Sequence, residues 1–368
     1  MIRRILLLIT DLEIGGTPTV VRELATRLND PPNVEIEVAC LKGWGPVATM
    51  LRDSGTSVTP LNLSRVWQFP AGIRRLRALV RERGIDTIIS FLIHANALAG
   101  VAVQDLKGVR LIQSVQTTQR WPRWHWWLQG RIERAAEQLI VPSSQVAAML
   151  KQLSGISRDP MVIPNAVDAA AFERRAVFIQ SKLRAGFIGR MDPVKRLDIA
   201  VAAVASITEF PIELIIFGDG PQRVAWESWQ ERRFPDVGDD KFHWMGRARS
   251  PQDALAQMDV LLLPSIGEGF GLVLIEAMAS GVPVIASAAG GVMDVVRHEH
   301  DGLLVPTGGD EVKGFADAIR RLRHDQALRQ RLIENGLATV AERFSWPHVL
   351  GLYRRALGLV PSPLVGEG

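Results

Sequence analysis

The chain has 368 residues, of which 47% are apolar and 22% charged, and a net charge of +4; this excludes a disordered polymer and suits about two domains. No run of about 18 apolar residues occurs, which excludes a membrane-spanning helix. The single cysteine, Cys40, excludes an internal disulfide framework and a cysteine-built zinc site.

The charge is unevenly spread. Residues 1–165 carry 20 Lys and Arg against 13 Asp and Glu, whereas the remainder carries 23 against 26. A basic first half suits an anionic substrate or a membrane surface. Nucleic acid is the weaker reading, because no basic run or recognised nucleic-acid module is present.

Taken in chain order, Met1–Ile9 has a basic prefix and an apolar run that stops before Thr10 and Asp11. That run is short for a signal peptide and long enough for a buried strand. Further strands are expected at Glu35–Leu41, Ser57–Leu61, Thr87–Phe91, Arg110–Ser114 and Gln138–Val141. Cys40 falls in an apolar stretch and reads as a buried thiol, so a cytoplasmic protein is the simplest expectation. The stretches between strands are long enough for crossover helices, which implies a doubly wound parallel sheet. The pattern then restarts, with strands expected at Leu183–Ile188, Glu213–Phe217, Val260–Leu263, Val284–Ala286 and Gly302–Val305.

Two tandem Rossmann-like α/β domains, facing across a cleft, are therefore expected at 1–168 and 180–343. A C-terminal helix and tail, 344–368, would pack back on the first domain. Pro164 and Asn165 punctuate the boundary. Sheets of this kind bind ligands beyond the carboxyl ends of their strands, so the chemistry belongs in the loops that follow strands.

The most informative loop runs from Pro264 to Gly271, between a strand and a helix that begins near Leu272. Its glycines, 267, 269 and 271, permit close backbone approach to a ligand, and the helix start favours anionic or oxygen-rich groups. A close-packed turn would use the same glycines. Glu276 sits in Leu-Val-Leu-Ile-Glu-Ala-Met-Ala, where an unpaired carboxylate is costly to bury. A vicinal diol such as that of a ribose would supply two O–H donors; a neighbouring arginine would serve equally. Glu268 lies in the loop itself. Arg190 and Lys195 follow the first strand of the second domain, where a guanidinium fork and an ammonium suit phosphate oxygens. Gly218-Asp219-Gly220-Pro221 reads as a tight structural turn.

The ordered set Gly189-Arg190…Lys195, Phe217-Gly-Asp-Gly-Pro, Glu268-Gly-Phe-Gly…Glu276 and Ala289-Gly290-Gly291 resembles the family 4 (group 1) retaining glycosyltransferases, enzymes of the GT-B fold. The resemblance covers nearly the whole chain. It implies that Glu276 holds the ribose of a nucleotide-sugar donor. Glu268 and the backbone of Gly269, Phe270 and Gly271 would then lie against the donor sugar. Arg190 and Lys195 would neutralise the diphosphate leaving group, and Gly246-Arg247 would meet the base. The first domain would supply the acceptor side. Gly15 and Gly16 would reach toward the donor phosphates, and His94, in Phe91-Leu-Ile-His-Ala-Asn96, would approach the transferred sugar. A histidine satisfied at a helix start is the plainer reading of His94.

Two positions depart from the family pattern. Ala166 replaces the hinge glycine and would disfavour a turn with positive φ. Met293-Asp294 replaces the glutamate after Gly290-Gly291.

The implied enzyme is a metal-independent, retaining hexosyltransferase that needs no cofactor, since the nucleoside-diphosphate sugar is its substrate. A glycan or lipid-linked acceptor, polysaccharide or glycolipid biosynthesis, and a location at the inner face of the membrane follow as expectations. The alternatives are a nucleotide-sugar epimerase of the same fold and a non-catalytic nucleotide-sugar-binding protein. A Rossmann dehydrogenase is disfavoured, because no Gly-x-Gly-x-x-Gly follows the first strand.

Residues 120–131, Arg-Trp-Pro-Arg-Trp-His-Trp-Trp-Leu-Gln-Gly-Arg, stand apart. A helical stripe through 124, 127, 128, 132, 135 and 139 places Trp124 and Trp127 in the core and leaves Trp121 and Trp126 off it. Basic residues with tryptophan suit an anionic lipid surface, with the arginine-rich helix Gly72–Arg83 in support, or stacking on an acceptor sugar.

Overall fold

The computed structural model describes residues 2–116, 123–156, 158–173, 181–238 and 240–359. Residues 117–122, with Arg120 and Trp121, lie outside the described residues. The chain divides into two compact units, residues 1–165 with 349–368, and residues 166–348.

The first unit is built on seven parallel strands: β1 (Arg3–Ile9), β2 (Val34–Cys40), β3 (Ser57–Pro60), β4 (Thr87–Phe91), β5 (Arg110–Ser114), β6 (Gln138–Val141) and β7 (Met161–Val162). Their order is β3-β2-β1-β4-β5-β6-β7. The second unit has six: β8 (Leu183–Ile188), β9 (Ile212–Phe217), β10 (Phe242–Gly246), β11 (Val260–Leu263), β12 (Val284–Ser287) and β13 (Leu303–Val305), in the order β10-β9-β8-β11-β12-β13. Both sheets are parallel throughout. Central strands of such sheets are covered on both faces, which is why β1 is apolar from Ile5 to Ile9 and why even Thr87 and Ser90 of β4 are buried. Ile5 through Ile9 are fully buried.

The chain order reverses between β1 and β4 in one sheet and between β8 and β11 in the other. A doubly wound sheet opens a crevice at such a reversal, because the loops on its two sides run to opposite faces. The loops that follow β1, β4, β8 and β11 are therefore the ones to inspect.

Helix ends follow local chemistry. Ser143 caps the helix Ser144–Ser154 by accepting from Val146 N at 3.2 Å, and Gly84 and Gly155 close helices in the left-handed conformation. Two strands carry no continuous apolar signal. β7 has two residues, and β10, on a sheet edge, is half exposed. Ala166 is buried and lies outside the left-handed region, so this boundary does not use the turn that a glycine would serve.

The tryptophan segment corrects the expectation. Within the helix Trp124–Ile132, Trp126 is the buried tryptophan, 4% exposed, whereas Trp124 and Trp127 are 53% and 58% exposed. The buried stripe is Trp126, Gln129, Glu133 and Ala136. An apolar count misses it because its second and third members are polar. Gln129 is satisfied instead by a buried network: it accepts from Asn96 Nδ2 at 3.1 Å and donates to Gln113 Oε1 at 2.9 Å. Ser90 donates to Asn96 Oδ1 at 2.7 Å, and Gln113 Nε2 reaches the Asn96 carbonyl at 3.3 Å. Arg131 lies over the exposed ring of Trp127, 4.4 Å from its centroid.

Removing one member of a buried polar network strands its partners. Gln129→Ala is expected to lower unfolding stability by about 2–4 kcal/mol. Trp127→Ala should change it by no more than about 0.5 kcal/mol. Urea unfolding of the two variants checks the order, and the opposite order would restore the apolar stripe.

Candidate functional site

The loop after β8 carries Gly189-Arg190-Met191-Asp192 into a single helical turn, Pro193–Lys195. Asp192 caps that turn through Val194 N at 3.3 Å. The loop after β11 carries Pro264–Gly271 into the helix Leu272–Ala279. The two loops meet across the reversal of the sheet: Ile266 N donates to the Val194 carbonyl at 3.0 Å, and Lys195 is ion-paired with Glu268. Glu268 is 8% exposed, so its charge is matched by the ammonium beside it. Arg190, by contrast, is exposed, and its guanidinium has no partner among the described residues.

A third loop locks onto these two. Gly291 N donates to the Glu268 carbonyl at 2.8 Å. A Cβ on Gly290 would stand 2.6 Å from that carbonyl oxygen, and one on Gly291 would stand 2.1 Å from the Gly269 oxygen. No side chain larger than hydrogen fits either contact. The loop after β9 uses the same device: a Cβ on Gly218 would meet the Gly189 oxygen at 1.9 Å, with φ at +145°. Gly218–Pro221 thus holds the Arg190 loop in place. Arg247, after β10, is exposed and reaches Asp219 at 3.4 Å.

Phe270 is buried and packs edge-on against Phe344 with ring centroids 5.5 Å apart. Its side chain is therefore an anchor, and only its backbone is left for a ligand. Gly271 precedes the helix at φ +90° with no side-chain cap. One turn further, the Glu276 carboxylate has neither hydrogen bond nor ion pair among the described residues. The residue as a whole is half-buried, and desolvation of its carboxyl pushes the pKa up to about 7. The arginine partner that would make this residue structural is not found there.

In the first unit, Gly15 and Gly16 lie exposed at the start of the helix Gly16–Leu28, after β1. His94 is the second residue of the helix Ile93–Ala102, after β4, and follows Leu92, which is held at φ +71°. Desolvation of its ring, followed by Lys42 and opposed by Asp11, holds the His94 pKa below its ordinary value. Its ring meets that of His125 edge-on at 5.6 Å. No sequence motif joins His94 to His125, 31 positions on, or Lys42 to Asp11, ion-paired at 3.0 Å.

The structure thus brings Arg190, Lys195, Glu268, Gly269, Phe270, Gly271 and Glu276 to one reversal. It brings Gly15, Gly16 and His94 to the other. Arg247 stands on the neighbouring loop. Of the two departures from the family pattern, Met293 is exposed, and Asp294 contributes its carbonyl to Arg343 at 2.6 Å. No group of three or more His, Cys, Asp or Glu side chains clusters as metal ligands among the described residues.

Both halves of the chain are similar to known proteins. The model of the group 1 glycosyl transferases matches residues 182–325, and that of glycosyltransferase family 4 matches residues 14–171. The phosphatidyl-myo-inositol mannosyltransferase of Mycolicibacterium smegmatis is 28% identical over 349 residues, 90% of this chain and 87% of the relative. The N-acetyl-alpha-D-glucosaminyl L-malate synthase of Bacillus anthracis is 33% identical over 167 residues, 45% of this chain and 42% of the relative. The chain spans about half the length of several curated relatives that it matches. Among solved structures, Anabaena HepE in complex with UDP and glucose superposes with a TM-score of 0.86 at 19% identity, covering 97% of this chain and 100% of that one. With both halves matched and the fold shared over nearly its whole length, the chain belongs to the group 1, family 4 glycosyltransferases and has their two-domain GT-B fold.

Proposed function

We propose that the protein moves a sugar from a nucleoside-diphosphate donor to a glycan or lipid-linked acceptor. The observation that carries this reading is the unpartnered carboxylate of Glu276, one helical turn beyond Gly271. A ribose diol would give that carboxylate the two donors it lacks. Arg190 is free to receive the departing diphosphate, and Lys195 joins it when donor contacts compete with Glu268. Uncapped N–H groups at the start of the helix Leu272–Ala279 add positive potential at the same place. These groups stabilise the negative charge that grows as the sugar–phosphate bond breaks toward an oxocarbenium-like centre, so no metal is required. Arg247 flanks the base.

Glu268 and the backbone of Gly269, Phe270 and Gly271 lie against the donor sugar in this reading. His94, with Gly15 and Gly16, serves from the first unit. The acceptor hydroxyl attacks from the face the leaving group vacates, with retention of configuration. The relatives support both substrates: one solved neighbour is bound to UDP and glucose, and one relative is a phosphatidyl-myo-inositol mannosyltransferase.

Contact with a membrane surface would rest on Trp124 and Trp127. The arginine-rich helix gives it little, because Arg75 and Arg77 donate to the carbonyls of Leu61 and of Val101 and Ala102. No helix among the described residues is long and apolar enough to cross a membrane. Sedimentation with phosphatidylglycerol vesicles should carry the wild type down and leave a Trp124→Ala/Trp127→Ala variant in the supernatant; a wild type that stays in the supernatant removes the lipid contact.

The Glu276 pKa sets the sign of a pH effect. The folded state keeps the proton up to about pH 7, whereas the unfolded chain releases it near 4.5. Stability contributed by this group is therefore present below pH 4.5 and is lost as pH rises toward 7. Glu276→Gln removes that loss and should stabilise the protein at pH 8 by on the order of 2 kcal/mol, with little change at pH 4.5. The same variant should bind UDP, GDP or ADP at least about tenfold more weakly, since hydrogen bonds to a charged group are lost. Thermal unfolding with and without each nucleotide reads both effects. Unchanged nucleotide affinity would remove Glu276 from the site.

Glu268→Ala should lower kcat by about 10²-fold or more while the affinity for the nucleoside diphosphate stays within a few-fold. Steady-state kinetics with the matching donor reads this, and transfer at the wild-type rate would defeat the role. Turnover should survive EDTA, and release of nucleoside diphosphate should depend on the acceptor.

A further inference from the structure

None of the roles above uses His125. It is the second residue of the helix Trp124–Ile132, which follows β5, and His94 is the second residue of the helix Ile93–Ala102, which follows β4. The two helices touch at three levels that advance together along both. At Gly100 a Cβ would stand 3.3 Å from Ile132 Cβ, so the backbones approach closely there. At the next level Asn96 Nδ2 donates to Gln129 Oε1 at 3.1 Å, between side chains that are both buried. At the third level His94 meets His125, with ring centroids 5.6 Å apart and planes at 81°. His125 and Gln129 are four residues apart and share a face of their helix. The amides that lock the second level therefore aim His125 at His94.

A working histidine usually takes its ring plane and tautomer from a hydrogen bond to one of its nitrogens. Neither His94 nor His125 has such a bond among the described residues. Asp11, the carboxylate that acts on His94, is ion-paired with Lys42 at 3.0 Å. The contact that orients the exposed His94 ring is therefore the edge-on one with His125, which sets the positive rim of one ring on the negative face of the other. His125 is half-buried and packs in turn against the Trp124 indole, with centroids 4.0 Å apart and planes at 71°. Two imidazoles this close also oppose each other's protonation. Desolvation, then Lys42, holds the His94 pKa below its ordinary value, with Asp11 opposing; desolvation, then His94, does the same for His125. The titratable and charged groups that act on His94 are thus Lys42, Asp11 and His125, from the loops after β2 and β1 and from the helix after β5.

We propose that His125 is a positioning residue for His94: it covers part of the His94 imidazole and fixes its plane, through an edge-on contact whose register the Asn96–Gln129 bond sets. That the oriented ring serves the transferred sugar rests on the transferase reading; the coupling of the two rings does not. An uncharged imidazole both donates to and accepts from sugar hydroxyls, and it adds no repulsion to the cationic centre that grows as the sugar–phosphate bond breaks. Transfer should then decline as pH falls through the lowered pKa of His94. Without the His125 ring, His94 gains water and loses a like-charged neighbour, so its pKa rises and the acidic limb moves to higher pH.

The test follows the imidazole C–H signals of the full chain by proton NMR as pH is varied, with His94 and His125 assigned by the signals lost in His94→Ala and His125→Ala. In His125→Ala the proton affinity of His94 should rise by about threefold or more. His125→Phe keeps a ring that takes no proton, so His94 should titrate there in a single step, closer to the wild type. Melting temperatures check that each variant is folded. Transfer is read from UDP-, GDP- or ADP-glucose to octyl glucoside or octyl mannoside. His125→Ala should lower kcat by about tenfold, with the donor KM within about threefold, and should move the acidic limb up. His125→Phe should recover most of the rate, and the loss should vanish when His125→Ala is added to His94→Ala. A His94 titration that is the same in the wild type and both variants overturns the proposal. So does a loss of rate that persists in the His94→Ala background, since His125 would then act by itself. A wild type that transfers from none of the donors counts against the transferase reading, and the titrations alone then decide this one.

Discussion

The candidate site depends on backbone meeting backbone with no side chain between. At the reversal between β8 and β11, the Gly290-Gly291 turn lies on the Glu268-Gly269 carbonyls at distances that exclude a Cβ, and Gly218 lies on Gly189 in the same way. Four loops, those after β8, β9, β11 and β12, are thus fixed against one another by main-chain contacts. That rigidity lets Lys195 meet Glu268 and aims the helix Leu272–Ala279 with its start uncapped. Electrostatic stabilisation of a departing anion works only when the dipoles and cations are held in place beforehand. Here the glycines hold them, and the charged side chains follow.

Against that frame the buried acids of the second unit divide cleanly. Asp259 accepts from Arg184 at 2.6 Å, and Asp301 accepts from Arg297 and Thr339 at 2.9 Å each. Glu268 has Lys195. Each of these pairs repays desolvation locally and is complete. Glu276, half-buried in its apolar helix, is the exception, a carboxylate without a partner among the described residues and with its pKa pushed toward 7. An acid left unmatched in a fold that matches its neighbours marks a place where folding stability has been given up for a ligand.

Much of this was legible in the residues. Most of the strands announce themselves as apolar or alternating stretches, because strands at the centre of a parallel sheet are covered on both faces. The loop motifs fall where the runs end, so the second-unit site could be listed before any coordinates. Failures came where burial is polar or partial. β10 is an edge strand with half-exposed aromatics, and Gln129 and Glu133 sit inside the helix stripe that an apolar count assigned to Trp124 and Trp127.

The basic excess of the first unit shows why composition misleads about ligands. The sequence suggests an anionic partner, yet most of these arginines are engaged in holding the fold. Arg77 donates to the carbonyls of Val101 and Ala102, Arg110 to that of Leu357, and Arg158 to those of Ala136 and Glu137. Arg3 and Arg4 pair with Asp86 and Glu35. A guanidinium with several donors suits loop and helix-end carbonyls that no N–H of the ladder can reach. Arg77, Arg110 and Arg158 also face carboxylates, those of Asp105, Glu137 and Glu133, and are neutralised there. A positive count in this unit therefore says little about its ligand, because the fold already uses much of the charge that makes it up.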